Sequence, residues 1–223
     1  MLKKILAIAF VSIITSCGGG GGGSSSATET PAATQTFSLA KLQSTAIGTI
    51  YTSPLTGSDS DGTTYTGSIS LANRAETMFN GVLAIPRDLL LNLSGGGIDI
   101  TVTGTSFVDS SNNNLLQLVI QTTGLTCVPS SPDTIPSTVK AGDFGILSTL
   151  VCDDGTTQEI NWRVEDSNGN ANVITNSTLK DQFNATVSVT NVTYTIDTNG
   201  NIIKFKTQST IQDTGFTLTY SST

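Results

Sequence analysis

From Ile47 to the C-terminus, apolar and polar residues alternate in short runs of period two, separated by clusters of Gly, Asn, Asp and Ser. That alternation places successive side chains on opposite faces of half-buried strands. Tyr65, Ile69 and Leu71 share one parity, Ile98, Ile100 and Val102 alternate with Asp99, Thr101 and Thr103, and Leu116, Leu118 and Ile120 are expected on a further buried face. Asn80-Gly81 supplies a two-residue hairpin turn because both residue types accept positive φ. Val82 to Leu93 returns from that turn, and Pro86 within it points to an edge position or a bulge. Further strands are expected over 146–152, over 157–165 with Ile160, Trp162 and Val164 on one face, and over 184–197, 202–211 and 216–221. Between Ala185 and Ile196 the apolar parity passes from Val187 and Val189 to Val192, Tyr194 and Ile196, which predicts a bulge near Thr190-Asn191. Val128 to Ser137 carries three prolines and reads as a loop. Phe37 to Ala46 has partly helical apolar spacing and reads as a short helix or an irregular cover.

Long strands joined by tight turns predict an all-β fold, an antiparallel meander forming a sandwich or a strongly curved, partly closed barrel. Residues 37–223 are read as a single β-rich domain. The chain before it has another character. Lys3 and Lys4 precede an apolar run from Ile5 to Ile14. That run is too short to span a hydrocarbon core, which takes about 20 residues, but it suits the apolar part of a secretory signal of about 7–15 residues. Ile14-Thr15-Ser16-Cys17 follows, then an unbroken glycine and serine run.

The tetrapeptide resembles the lipobox of bacterial membrane lipoprotein precursors. The resemblance implies that residues 1–16 are a signal peptide and that Cys17 becomes the acylated first residue of the mature chain. It also implies that 17–36 is a Gly/Ser/Thr-rich tether, and the domain partners a membrane through lipidated Cys17. Gly18, in place of the aspartate associated with inner-membrane retention, favours the outer membrane of a cell envelope that has two. As a flexible coil the tether would span roughly 24 Å. The body resembles uncharacterised bacterial lipoproteins through Gly57 to Ser68, Gly142-Asp-Phe-Gly145, Cys152-Asp-Asp-Gly155 and Trp162. That resemblance brings no activity with it.

Charge narrows the function classes. The chain has 10 Lys and Arg against 17 Asp and Glu, and losing Lys3 and Lys4 leaves 8 against 17. An acidic surface repels phosphate backbones, so nucleic acid is not an expected partner. With Cys17 assigned to lipid, Cys127 and Cys152 remain as a pair in an oxidising compartment, where a disulfide is the expected outcome. Closing that loop contributes roughly 3.5 kcal/mol in the chain-entropy description. The chain has no histidine, which removes Ser–His–Asp and Cys–His catalysis and the usual zinc sets.

Asp59-Ser-Asp-Gly62, Asp153-Asp-Gly155, Asp166-Ser-Asn-Gly169 and Asp197-Thr-Asn-Gly200 look like fragments of calcium loops, yet none carries the closing glutamate. Turn chemistry is the better reading of all four, and no metal or cofactor is expected. Arg74/Glu76 and Arg163/Glu165 look like same-face pairs, Trp162 a core residue, and the Asn-x-Ser/Thr triplets at Asn92, Asn176, Asn184 and Asn191 chance matches. No catalytic residue stands out.

The expected function is a lipid-anchored envelope β module with a non-catalytic binding or structural role, its partner an envelope protein. The alternative is a carrier holding a lipid or other hydrophobic ligand inside a curved sheet. A hydrolase using paired carboxylates comes third.

Overall fold

The computed structural model describes residues 35–39, 46–132 and 136–223. The first half of the wall comprises β2 (Gly48–Asp59), β3 (Thr64–Asn73), β5 (Val82–Gly95), β6 (Ile98–Asp109), β7 (Leu115–Ile120) and β8 (Leu125–Pro129). The second half comprises β10 (Phe144–Ile146), β11 (Leu150–Cys152), β12 (Thr157–Ser167), β13 (Asn170–Lys180), β14 (Thr186–Ile196), β15 (Ile202–Ile211) and β16 (Thr217–Ser222). Two short strands, β1 (Thr36–Ser38) and β9 (Thr138–Lys140), pair with each other, and β4 (Thr77–Phe79) lies along the start of β5.

Each wall strand runs antiparallel to its neighbours, and β16 pairs with β2. Both β10 and β11 lie along one edge of β12, whose other edge pairs with β13. Taking β10 and β11 as one wall position, the ring closes as a 12-stranded antiparallel barrel. The expected meander is therefore present, and it closes fully. Full closure leaves the long strands without free edges.

Strand alternation fixes the two ends. The upper end carries the β3–β5 link with β4, the β6–β7 turn, the long β8–β10 link with β9, and the β12–β13 and β14–β15 turns. The lower end carries six tight turns, at 60–63, 96–97, 121–124, 153–156, 181–185 and 212–216. The β1–β9 ribbon belongs to the upper end. Gln35 Nε2 donates to the Gly169 carbonyl at 3.4 Å, and the Ser38 amide donates to the Thr198 carbonyl at 3.3 Å. Phe37, Leu39 and Val139 of this ribbon join the same buried cluster as Leu91, Val102 and Val192 of the wall.

The interior is filled. Side chains alone fill a barrel of about eight strands, so a twelve-stranded wall must flatten or receive inserted residues. Here the ribbon residues are inserted. Inward side chains on two facing parts of the wall, Ile69, Leu91 and Leu118 on β3, β5 and β7 and Val192 and Phe205 on β14 and β15, are at most 1% exposed.

Several sequence expectations change. The helical spacing over 37–46 does not give a helix at its start, because Phe37 lies in β1, and 40–45 lie outside the described residues. Pro86 is neither on an edge strand nor in a bulge. It pairs in register with Phe107, and its missing amide falls in the gap between β3, which ends opposite Arg87, and β4, which reaches only to Ala84. The ladder is continuous through Thr190 and Asn191, and the irregularities fall at Leu179/Lys180 and Thr195/Ile196. The apparent parity change arises because Ser188 and Thr190 are the inward residues and Val187 and Val189 are only partly buried. In β7 a register shift opposite Phe107/Val108 places Leu115, in place of Leu116, in the core with Leu118 and Ile120. The strand expected over 146–152 is split between β10 and β11. The proline-rich stretch begins as strand, since β8 runs through Pro129. Arg74 pairs with Asp88 at 2.9 Å and not with Glu76, whereas Arg163 and Glu165 do pair, also at 2.9 Å.

Candidate functional site

Cys17, the expected lipid attachment, lies outside the described residues. The other two cysteines meet. Cys127 on β8 and Cys152 on β11 sit opposite each other in register and form a disulfide, with both side chains buried. One strand further, Trp162 on β12 turns inward opposite Gly145 on β10. A Cβ at Gly145 would overlap the indole ring near Nε1, so glycine is what lets the ring lie against the strand. The Gly142–Gly145 segment, Cys152 and Trp162 thus come together where the wall strands are shortest. Trp162 is a core residue, as expected, and presents no flat face to a ligand.

The acidic turns repeat one design. In Asp59-Ser-Asp-Gly-Thr63, Asp59 Oδ1 accepts the amides of Asp61 and Thr63 at 3.0 and 2.9 Å, and Gly62 has φ of 84°. In Asp197-Thr-Asn-Gly-Asn201, Asp197 Oδ1 accepts the amides of Asn199 and Asn201, both at 2.9 Å, and Gly200 has φ of 79°. Asp181-Gln-Phe-Asn-Ala185 matches it, with the amides of Phe183 and Ala185 at 2.9 Å and Asn184 at φ 65°. These are three-residue hairpin loops in which the fourth position must be left-handed.

Hydrogen bonds shift three of these turn carboxylates. For Asp59, partial burial pushes the carboxyl up, but the Tyr65 hydroxyl and the turn amides outweigh it and hold the group below the usual range. Ser111 does the same for Asp109, and Asn201 for Asp197. The carboxylates are occupied in holding the backbone.

The lumen is lined partly by polar side chains. Ser177, Thr190 and Ser209 sit side by side on β13, β14 and β15, with Thr190 and Ser209 hydroxyls 2.9 Å apart. Gln158 Nε2 donates to Ser177 Oγ. Ser222 Oγ accepts the Phe205 amide at 2.9 Å. Asn73, Arg87 and Ser106 share another row, and Arg87 Nη2 approaches Asn113 Oδ1 at 3.5 Å. Burial pushes the Tyr194 and Tyr220 hydroxyls well above the ordinary tyrosine range, so both stay neutral. Among the described residues, the buried polar side chains are Asn, Arg, Gln, Ser and Thr, with no carboxylate. Two of the Asn-x-Ser/Thr asparagines hold the wall together from outside, Asn176 Nδ2 donating to Asn191 Oδ1 at 2.9 Å.

Charge is unevenly placed on the outside. Among the described residues, Asp59, Asp61, Asp99, Asp153, Asp154, Glu159, Asp181 and Asp213 lie around the lower end, eight carboxylates set against Lys180, which pairs with Glu159 at 2.7 Å. In the upper half, among the described residues, Arg74, Lys140, Arg163, Lys204 and Lys206 stand against Glu76, Asp88, Asp109, Asp143, Glu165, Asp166 and Asp197, five outer cations against seven carboxylates, with Arg87 buried inside. Formally the outside of the described residues carries −7 at the lower end and −2 in the upper half. The upper rim also shows large apolar residues to solvent, Ile47 at 72%, Met78 at 66% and Ile203 at 54%.

Sequence reasoning missed this polarity because it is a property of topology. The acidic turns were visible one by one, and only the alternation of strand direction gathers them at one end. Compared with protein-family models, curated proteins and solved structures, the chain matches none, so its own residues carry the functional argument.

Proposed function

We propose that this protein is a non-catalytic β-barrel module held on the cell envelope by acylated Cys17, with a binding or structural role toward another envelope component. The observation that carries the non-catalytic half of this reading is the combination of a filled interior without buried carboxylates and acidic residues spent on turns. A carrier needs an unfilled lumen, and the burial of inward Ile69, Leu91, Leu118, Val192 and Phe205, each at most 1% exposed, supports the packed reading. A carboxylate hydrolase needs two acids facing a cleft, whereas the buried polar side chains described here include none. The anchor half rests on Ile14-Thr15-Ser16-Cys17 and the glycine run behind it.

Mass spectrometry of the mature N-terminal peptide tests the anchor. The expected result is a peptide beginning at Cys17 with acyl chains attached, and the Cys17→Ser variant losing membrane association. An unmodified mature N-terminus beyond Cys17 overturns it. Solvent extraction of the purified protein tests the module against the carrier. Only covalently attached lipid is expected, and stoichiometric free lipid would select the carrier.

A further inference from the structure

We propose that the upper end of the barrel docks directly on the lipid surface that bears the anchor, through a rim formed by Ile47, Met78 and Ile203 beside Lys204 and Lys206. The proposal rests on the anchoring reading above and adds an orientation to it. Three independent observations converge on the same end.

The first is where the chain enters. Gln35 and Ser38 are bonded to the β12–β13 and β14–β15 turns, so Gln35, the described residue nearest Cys17 in sequence, sits at the upper end. A tether alone would leave the domain free to turn. The second is the apolar rim. Ile203 lies at the register irregularity at the start of β15, Ile47 immediately before β2, and Met78 on β4 beside β5. In the closed wall the order β15, β16, β2, β3, β5 makes these neighbours on one arc. Their exposure is far above that of the inward residues on the same strands, and no core contact accounts for them.

The third is charge. Lys204 and Lys206 lie on β15 within the same arc, which also holds Asp197, Glu76 and the Arg74–Asp88 pair and is close to neutral, whereas the strongly acidic end points away. An anionic leaflet attracts basic residues by about 1 kcal/mol each close to the surface and repels carboxylates. The field of this molecule therefore favours one orientation, with the apolar side chains reaching the headgroup and acyl boundary roughly 5–10 Å deep. A protein partner at this rim would need none of the charge separation between the ends.

The test uses the lipidated full chain in vesicles of phosphatidylcholine and phosphatidylglycerol. With Cys17 acylated and Cys127 bonded to Cys152, a cysteine introduced as Met78→Cys, Ile203→Cys or Phe183→Cys is the one thiol open to a polarity-sensitive fluorophore. Phe183 is 79% exposed at the lower end and serves as the control. The expected result is a blue shift and loss of emission with acyl-chain spin-labelled lipid at positions 78 and 203, and neither at 183. Weakened quenching in the Lys204→Glu/Lys206→Glu background supports the electrostatic part. Vesicles that float with the protein while all three labels stay unquenched leave the anchor intact, free the rim for a protein partner and overturn the docking. Quenching at 183 alone overturns it as well. Protein that does not float removes the anchor and the docking together.

Discussion

A single aspartate does the same work in turn after turn. At Asp59, Asp181 and Asp197 one carboxylate oxygen takes two backbone amides, and a glycine or asparagine three residues on supplies the left-handed backbone. These bonds are made to the charged form, which is why Asp59, Asp109 and Asp197 titrate below the ordinary carboxylate range. A carboxyl whose folded value is depressed binds fewer protons folded than unfolded. Its stabilisation is complete above the unfolded value and disappears as pH falls through the folded one. Asp→Asn at Asp59, Asp109 or Asp197 keeps an acceptor oxygen and removes the titration. The expected outcome is a lower urea midpoint than wild type at about pH 7, and convergence of the two by about pH 2. Asn184 tests the backbone side of the same turn. With φ of 65°, Asn184→Gly should leave the midpoint nearly unchanged. Asn184→Val should cost about 1–2 kcal/mol, because a β-branched side chain crowds the left-handed conformation.

Among the elements, the seam formed by β8, β10 and β11 is the thinnest part of the wall. These strands have 5, 3 and 3 residues, against 11 each for β12 and β13. The disulfide crosses this seam, joining residues 25 apart in sequence. Reducing the loop-closure entropy of the unfolded chain is worth roughly 3.5 kcal/mol for a loop of this size. Cys127→Ala/Cys152→Ala is expected to lose about that much, and its amide exchange should rise first in 125–129 and 144–152 while β13–β15 stay protected. Uniform loss of protection would show that the seam is no weaker than the rest. This element scale is also where the sequence was readable and where it stopped being so. Ile160, Trp162 and Val164, or Ile100 and Val102, alternate with charged or threonine neighbours, and their strands stand where the pattern put them. The strand passed over, β13, presents Thr175 and Ser177 inward and Ile174 outward. Its apolar contrast is therefore weak, although it is the strand that closes the ring through β12. Ser188 and Thr190 on β14 blur the pattern in the same way. Pattern reading assumes an apolar interior, and one side of this barrel is lined with hydroxyls, of which Thr190 and Ser209 bond each other and Ser177 accepts from Gln158.

For the molecule as a whole, closure is completed by residues that belong to no wall strand. The ribbon of β1 and β9 sends Phe37, Leu39 and Val139 into the cluster formed by the wall, each at most 2% exposed. Residues this far inside make the upper mouth part of the core. It follows that Thr36–Ser38 is coupled to global unfolding. Phe37→Ala removes a buried aromatic side chain, a change that costs about 3–5 kcal/mol in a packed core. For a domain of this size that lowers the melting temperature by roughly 6–20 °C. The measurement that decides is a thermal melt followed both by near-ultraviolet circular dichroism and by amide exchange at Thr36–Ser38. If the ribbon is integral, both readouts move together in Phe37→Ala. If it is an appended flap, exchange at Thr36–Ser38 rises while the melting temperature of the barrel stays where it was, and the upper end has to be described as open.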